Sequence, residues 1–249
     1  MEPAAGAPSE PSGFTLCPAG DAAVMIRFGS GLSAAGCDRV HAALAALDGT
    51  AGSMAGGRPG WPAGWIDVMP GYASIVVVFD PVLCSFDDVA AVVRAALVDD
   101  PRGAVAPAPR QIEIPTVYHP DVAPDLVPLA AEKGLTVDRL VALHAAPLYV
   151  CQMLGFRPGF PFLRGLDPAL VSARLATPRL RVESGSVGIG GAQTGVYPSP
   201  GPGGWRIIGR TSRPLVDAAA AARNDPDQAF LVRPGDTVRF VPLDRVEAS

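Results

Sequence analysis

Lysine is almost absent from this 249-residue chain, whose positive charge is carried by arginine apart from Lys133. Schiff-base or P-loop chemistry therefore has a single candidate lysine. The formal net charge is -4, so there is no basic surplus of the kind that binds nucleic acid or an anionic membrane. No apolar run reaches the roughly 20 residues that a transmembrane helix requires. We expect neither nucleic acid nor a membrane as a partner.

Metal-ligating residues are also scarce. The chain has four cysteines and three histidines, and no two cysteines form a CxxC pair. This scatter does not match the spacing of a zinc site, so we expect no metal site in this chain. The N-terminal residues lack the basic and apolar regions of a signal peptide. With free thiols, the sequence favours a reducing cytoplasm.

The pattern of apolar residues predicts an α+β protein with two domains. Segment 1–12 is rich in proline, alanine and glycine, which predicts a disordered tail. Residues 13–105 follow the order β-β-α-β-β-α, which predicts a small α+β domain with helices on one side of a sheet, and we expect it to be ferredoxin-like. A long loop is predicted at 48–64, and the proline-containing run 104–110 is the predicted linker.

Residues 110–249 begin with helical patterns and continue with closely spaced short strands. A strand over 112–117 is followed by a predicted helix over 121–133. Thr136 is a suitable N-cap for a further helix over 137–145. Beyond that helix, turns rich in glycine and proline separate short strand patterns, which is typical of a compact β-barrel.

The stretch 144–211 contains most of the candidate chemistry. Its glycine-rich run 188–195 lacks the Gly-Lys-Ser/Thr ending of a P-loop, and Gln193 breaks the GxGxxG spacing. There is no GxSxG nucleophile motif. Glycine runs allow a backbone to approach a ligand and direct N–H groups at it, which makes Gly188 and Gly191 candidates. Tight corners of a barrel require glycine equally, and both interpretations stay open.

Charge in the same stretch is one-sided. Between residues 144 and 211 only Asp167 and Glu183 are acidic. Carboxylates are therefore too scarce to favour a metal–nucleotide site or a pair of catalytic carboxylates. Arginine binds carboxylates and phosphates through paired hydrogen bonds. The stretch is therefore suited to hold an anionic, carbonyl-bearing molecule and poorly equipped to complete a reaction alone. Its arginines are Arg157, Arg164, Arg174, Arg179, Arg181, Arg206 and Arg210.

Eight residues are candidates for a site. His144, at a helix end, is the candidate acid or base, and Gln193 is a neutral donor and acceptor with a candidate catalytic role. The alternatives are a satisfied structural histidine, salt bridges at the barrel rim for the arginines and core packing for the tyrosines. The candidates for substrate binding are Arg179, Arg210, Tyr149, Tyr197, Gly188 and Gly191.

Three ordered motifs, LGFRPGFP, GSVGIGGAQTGVYP and PGGWRIIGRT, carry a family resemblance. The chain resembles the family that includes the B-type component of bacterial ATP-dependent 5-oxoprolinase and the sensor-kinase inhibitor KipI. The family also includes allophanate hydrolase subunit 1, the first half of the urea carboxylase carboxyltransferase. The resemblance covers roughly residues 14 to 243. It implies an N-terminal α+β domain, a C-terminal cyclophilin-like β-barrel and a site completed by a companion barrel.

The resemblance also implies a function. It implies a subunit of a 5-oxoprolinase that uses ATP, held by the complex, to open 5-oxoproline to glutamate. An unactivated lactam is a poor electrophile that phosphorylation of its oxygen would activate, and its carboxylate would suit an arginine. The implied partners are a C-type protein, similar to allophanate hydrolase subunit 2, and an A-type protein. We expect this chain to be inactive alone.

Two alternative functions come from the same family. One is a carboxyltransferase subunit of a urea carboxylase-type enzyme, which would need a biotin-carboxylase partner. The other is a KipI-like inhibitor of a sensor histidine kinase. A peptidyl-prolyl isomerase is suggested only by the barrel, and a fold alone does not give a function.

Overall fold

The chain divides into two compact units, Met1–Ala108 and Pro109–Ser249, in a computed structural model. The predicted tail, residues 49–60 of the predicted loop and residues 104–108 of the predicted linker lie outside the described residues. No helix of the described part is both long and apolar enough to cross a membrane. The structure describes residues 13–29, 34–48, 61–98, 109–223 and 226–243.

The first unit is a four-stranded antiparallel sheet covered by two helices in its described part. The sheet order is β1-β2-β4-β3. The elements follow one another as β-β-α-β-β-α, whereas a ferredoxin-like domain runs β-α-β-β-α-β, so the ferredoxin-like expectation is not confirmed. The elements are β1 (Thr15–Pro18), β2 (Ala23–Arg27), α1 (Ala34–Asp48), β3 (Trp65–Pro70), β4 (Ser74–Phe79) and α2 (Phe86–Val98).

The core of this unit lies between one face of the sheet and the two helices. In β4, which has the sequence SIVVVF, burial alternates strictly, so that every second side chain is buried. Helices α1 and α2 contact each other and the sheet, so they cover the same face. Their buried residues recur at helical spacing. The residues of β4 and the two helices that form this core are Ile75, Val77, Phe79, Val40, Ala43, Leu47, Val89, Val93 and Leu97.

The second unit is a closed seven-stranded barrel in its described part, with strand order β10-β7-β6-β13-β5-β12-β9. Strands β5 and β13 run parallel, and the other neighbours are antiparallel. Strands β8 and β11 form a separate two-stranded sheet. The barrel strands are β5 (Gln111–Val117), β6 (Tyr149–Leu154), β7 (Pro161–Arg164), β9 (Ser186–Gly190), β10 (Gln193–Val196), β12 (Arg206–Arg210) and β13 (Thr237–Leu243). The remaining elements are α3 (Leu126–Glu132), α4 (Val137–Ala145), β8 (Arg179–Val182), β11 (Gly201–Gly203), α5 (Ala218–Ala222) and α6 (Pro226–Ala229).

The helix predicted over 121–133 begins later, at Leu126. Pro124 explains the difference, because a proline disfavours helical backbone at the residue before it. Helix α4 matches its predicted bounds, and the Thr136 hydroxyl accepts a hydrogen bond from the backbone N–H of Arg139 at 3.1 Å. Val216 forms an isolated antiparallel bridge with Phe230 outside the named strands.

Glycines of β9 and β10 allow aromatic rings to lie directly on the outside of the barrel. A Cβ added at Gly190 would lie 2.5 Å from the indole nitrogen of Trp205, and one at Gly195 would lie 3.0 Å from the Phe160 ring. The inward-facing residues of the same strands belong to the barrel core. We call the buried group on the outside the outer aromatic cluster; it consists of Phe160, Val182, Tyr197, Trp205 and Ile207.

Replacing Gly190 by alanine should therefore destabilise the second unit. The new methyl group would displace the Trp205 indole, and overpacking of this kind costs about 1–3 kcal/mol. Gly204→Ala is the matched control, since the nearest atom to its added Cβ is 3.7 Å away, an ordinary contact. Urea denaturation followed by circular dichroism measures the free energy of unfolding of both variants. Equal values would contradict the close packing of Trp205 against Gly190.

Candidate functional site

His144 lies in the interior of the barrel. It ends the apolar face of α4, and its ring packs against Phe240 and Tyr149 at centroid distances of 4.6 and 5.5 Å. The residue is fully buried. The Tyr149 hydroxyl donates to the His144 carbonyl at 2.7 Å. This packing corresponds to the alternatives given above, a satisfied structural histidine for His144 and core packing for Tyr149.

A hydrogen-bond chain connects the imidazole to strand β9. The Tyr118 hydroxyl lies 2.8 Å from Nδ1 of His144, and Nε2 lies 2.9 Å from Oγ1 of Thr194. The Thr194 hydroxyl donates its one proton to the Gly188 carbonyl at 3.0 Å, so it accepts from Nε2–H. Nδ1 then accepts from Tyr118, which assigns a neutral imidazole with its proton on Nε2.

Burial determines the charge of this group. Desolvation lowers the pKa of His144 to about 3, and it raises the pKa of Tyr118 well above its ordinary value. Burial also raises the pKa of Tyr149. These side chains therefore stay neutral near pH 7. The geometry supports a structural role for His144, and its catalytic role stays a prediction.

The two candidate catalytic residues lie on opposite sides of β10. Thr194 faces inward to His144, so the preceding residue, Gln193, faces the outside. There its side-chain N–H donates to Oε1 of Gln152 at 2.7 Å, and both side chains are buried. Gln152 comes from the point where the pairing of β6 with β7 shifts register. The structure does not bring His144 and Gln193 together.

The candidate glycines use backbone groups within the fold. The carbonyl of Gly188 accepts the Thr194 hydroxyl. Gly191, with φ of +66°, lies in the tight turn between β9 and β10. Its N–H donates to the Ser172 carbonyl at 2.7 Å, and its carbonyl accepts from Ser172 at 3.1 Å. The N–H of Gly191 is thus engaged by the barrel, and substrate binding by these two glycines stays a prediction.

The two candidate arginines have different surroundings. Arg179 makes a bidentate pair with Asp125 at 2.9 and 2.8 Å, and the same carboxylate accepts the backbone N–H of Ile207 at 2.6 Å. This geometry corresponds to the salt bridge that the sequence analysis gave as the alternative to substrate binding by Arg179. The Nε of Arg210 donates to the Ser184 carbonyl at 3.2 Å, and the side chain is half-buried. Arg210 is therefore the better placed of the two to reach a ligand.

Tyr197 belongs to the outer aromatic cluster. Its ring lies 5.1 Å from Phe160 between centroids, in an edge-on contact. Burial raises the pKa of its phenol, while a hydrogen bond with the Trp205 backbone and the positive charges of Arg174, Arg179 and Arg157 act in the opposite direction. Three guanidinium groups thus act on one buried phenol.

Loop 155–160 presents a strained residue beside this cluster. Phe156 has φ of 63°, the one non-glycine residue with positive φ in the part of the chain that the structure describes. The Arg157 N–H donates to the Gly155 carbonyl at 2.6 Å, which closes a three-residue turn around it. Phe156 is 60% exposed.

Sequence reasoning missed several residues around the site. Phe156 and Trp205 lie in the quoted motifs LGFRPGFP and PGGWRIIGRT but received no role. Arg157 and Arg174 were counted only among the arginines. No spacing rule connects these residues, since loops, not one periodic element, bring them together. The hydroxyls of Tyr118 and Thr194 also carried no signal of their own.

The donor set does not form a metal centre. Among residues 13–29, 34–48, 61–98, 109–223 and 226–243, no three histidine, cysteine, aspartate or glutamate side chains cluster as metal ligands. Arginines and aromatic rings instead dominate the outside of the barrel near Tyr197. Such a surface suits an organic anion.

The fold and the site define a class of two-unit α+β proteins. The first unit is an antiparallel sheet with two helices, and the second is a closed barrel with arginines and aromatic rings on its outside. Residues 14–225 match the carboxyltransferase domain family, subdomain C and D. The chain belongs to this family.

Curated relatives cover most of the chain. The B component of the 5-oxoprolinase of Bacillus subtilis is 35% identical over 234 residues, which is 90% of this chain and 90% of the relative. The B component of the 5-oxoprolinase of Escherichia coli is 45% identical over 178 residues, 71% of this chain and 78% of the relative.

Solved structures share the fold. The crystal structure of TTHA0988 is 33% identical, with a TM-score of 0.70. The match covers 92% of this chain but only 41% of TTHA0988, so this chain spans about two fifths of that longer protein. The Kluyveromyces lactis urea amidolyase is 18% identical with a TM-score of 0.70, covering 96% of this chain and 15% of that one. At this identity the likeness shows the fold alone.

The buried histidine gives the chain a specific pH dependence. The unfolded chain takes up a proton near pH 6.5, whereas folded His144 resists protonation down to about 3. The contribution of this group to the free energy of unfolding is fully present above pH 6.5. It is lost as the pH falls toward 3, by about 1.4 kcal/mol per pH unit. Urea denaturation at pH 7, 6, 5 and 4 measures this slope.

His144→Gln should flatten the slope relative to the wild type, because the titrating group is gone. His119→Gln, at an exposed position, is the control and should retain it. A His144→Gln slope equal to that of the wild type would show that other groups cause the pH dependence.

Arg179→Gln should destabilise the barrel because it leaves the carboxylate of Asp125, only 7% exposed, without its cation. We expect a loss of about 1–3 kcal/mol. Arg181→Gln is the matched control two residues along β8, because its pair with Glu183 is exposed on both sides, and such pairs contribute little. Thermal unfolding compares them, and an unchanged melting temperature for Arg179→Gln would instead favour a substrate clamp.

Proposed function

We propose that this chain is one component of an ATP-dependent 5-oxoprolinase and contributes part of a shared site that opens 5-oxoproline to glutamate. The observation that carries the proposal is the identity of 35% with the B component of a 5-oxoprolinase over 90% of both chains. Similarity over nearly the full length is consistent with an equivalent place in an equivalent complex.

The site geometry supports a shared site. In the described residues the candidate base, His144, is buried and neutral, and the outer surface offers arginines and aromatic rings instead of paired carboxylates. These groups are suited to bind and orient an anion, whereas opening a lactam also requires activation of its carbonyl and a positioned water. The missing groups would come from partner subunits, so the chain alone is expected to be inactive.

ATP and the partners belong to the same proposal. ATP would transfer its γ-phosphoryl group to the lactam oxygen and leave as ADP, which makes the carbonyl carbon electrophilic. Attack of water on that carbon would then open the ring to glutamate and release inorganic phosphate. The complex holds the nucleotide, and nothing in the described residues requires this chain to bind it. The proposed partners are a C-type protein, similar to allophanate hydrolase subunit 2, and an A-type protein. The proposed location is the cytoplasm.

A second candidate is a carboxyltransferase subunit acting on urea or another amide. It is favoured by the similarity to the urea amidolyase of Lachancea kluyveri, which is 31% identical over 91 residues. That match covers 36% of this chain and 5% of the relative. The proposal for 5-oxoproline has the broader support.

The test is reconstitution. This chain is co-expressed with its proposed A-type and C-type partners, and 5-oxoproline-dependent release of ADP and glutamate is measured. We expect activity from the complete set and loss of glutamate release when this chain is omitted or assayed alone. Assays with urea and bicarbonate, with a biotin-carboxylase partner added, test the second candidate. Glutamate release that persists without this chain would refute the proposed role and favour a regulatory one.

A further inference from the structure

Two arginines on the outside of the barrel contact aromatic rings, whereas three other arginines nearby pair with carboxylates. The guanidinium carbon of Arg157 lies 5.4 Å from the ring centroid of Phe156, and that of Arg174 lies 5.9 Å from Trp205. No carboxylate in the described part of the chain pairs with either arginine. Their positive charge is therefore not neutralised locally. The neighbouring pairs are Arg179 with Asp125, Arg181 with Glu183 and Arg206 with Glu132.

The rings beneath these arginines form one connected cluster, in which Phe156 is exposed and Phe160, Tyr197 and Trp205 are buried. The Phe160 ring lies 5.5 Å from Phe156, 5.1 Å from Tyr197 and 5.3 Å from Trp205 between centroids. Each arginine lies over a ring of this cluster, and both guanidinium charges act on the Tyr197 phenol. We call this group the arginine-aromatic patch; it consists of Phe156, Arg157, Arg174, Tyr197 and Trp205.

Phe156 is held at this patch against its conformational preference. Its left-handed backbone favours glycine, and more than half of its surface is exposed, so burial does not account for the ring. Strained residues that the surrounding structure holds in place are concentrated at ligand sites. Here Arg157 fixes the loop, because it donates to the Pro200 carbonyl at 2.8 Å.

We propose that the arginine-aromatic patch binds the carboxylate of a small cyclic amide, with Arg157 and Arg174 contacting the carboxylate and Phe156 packing against the ring. Guanidinium groups bind carboxylates through charge-assisted hydrogen bonds, and an exposed aromatic face accepts a flat lactam. The identity of that lactam as 5-oxoproline rests on the proposed function. The phosphates of ATP share the anionic chemistry, and the experiment separates the two sources.

The first arm uses the reconstituted complex. Arg157→Gln and Arg174→Gln should each raise KM for 5-oxoproline about tenfold or more, the size expected for a lost charge-assisted hydrogen bond. KM for ATP should stay unchanged. Arg139→Gln, an exposed arginine on α4, is the matched control and should leave both constants unchanged. Phe156→Gly should raise KM for 5-oxoproline while keeping the melting temperature, because glycine suits the left-handed backbone.

The second arm titrates the isolated chain with 5-oxoproline and with 2-pyrrolidone, which has the same ring without the carboxylate, and follows amide chemical shifts. We expect tighter binding of 5-oxoproline and loss of this preference in both arginine variants. If the complex does not turn over 5-oxoproline, the proposed function fails while an arginine-dependent carboxylate preference still supports the patch. Constants that do not depend on either arginine in both arms, or an effect on KM for ATP alone, would overturn the inference.

Discussion

The close approach of aromatic rings to the glycine backbone of β9 and β10 is the constraint on which the second unit depends. On the outside, Gly190 and Gly195 leave the space in which Trp205 and Phe160 lie. On the inside, the Thr194 hydroxyl joins the strand pair to His144. A side chain larger than hydrogen at the two glycines would separate the rings from the strands. The same two strands therefore position both the barrel core and the aromatic rings on its outside.

This arrangement separates uncharged from charged chemistry. The interior hydrogen-bond chain is neutral, since burial lowers the pKa of His144 and raises that of Tyr118. The positive charge lies outside, where Arg157 and Arg174 are over rings. A ring beneath a guanidinium contacts its flat face and uses none of its N–H donors, although one amino group of Arg157 already donates to the Pro200 carbonyl. A barrel built in this way offers a rigid support for recognition, and under the proposed function the reaction also needs groups that partner proteins would bring.

Much of the fold could be predicted from the sequence, and less of the site. The run of β-branched residues in SIVVVF and the Thr136 cap predicted β4 and α4 correctly, because each is a local signal. Strand β9 alternates Val187 and Ile189 with glycines, but β10 begins with two polar residues, Gln193 and Thr194, so the sequence did not show which of them faces His144. The pair of Arg179 with Asp125 joins residues 54 positions apart, and no periodicity relates them. Local patterns define elements, whereas the partners of a side chain depend on the register between them.

The parallel pairing of β5 with β13 has a consequence for synthesis of the chain on the ribosome. β5 is the first strand of the second unit, and β13 lies between β5 and β6 in the barrel. Until residues 237–243 have emerged, β5 and β6 each present an unpaired edge. Closure of the barrel is therefore a late, non-local event during translation, and such contacts form slowly. Until β13 pairs with them, these two edges are open to association with other chains.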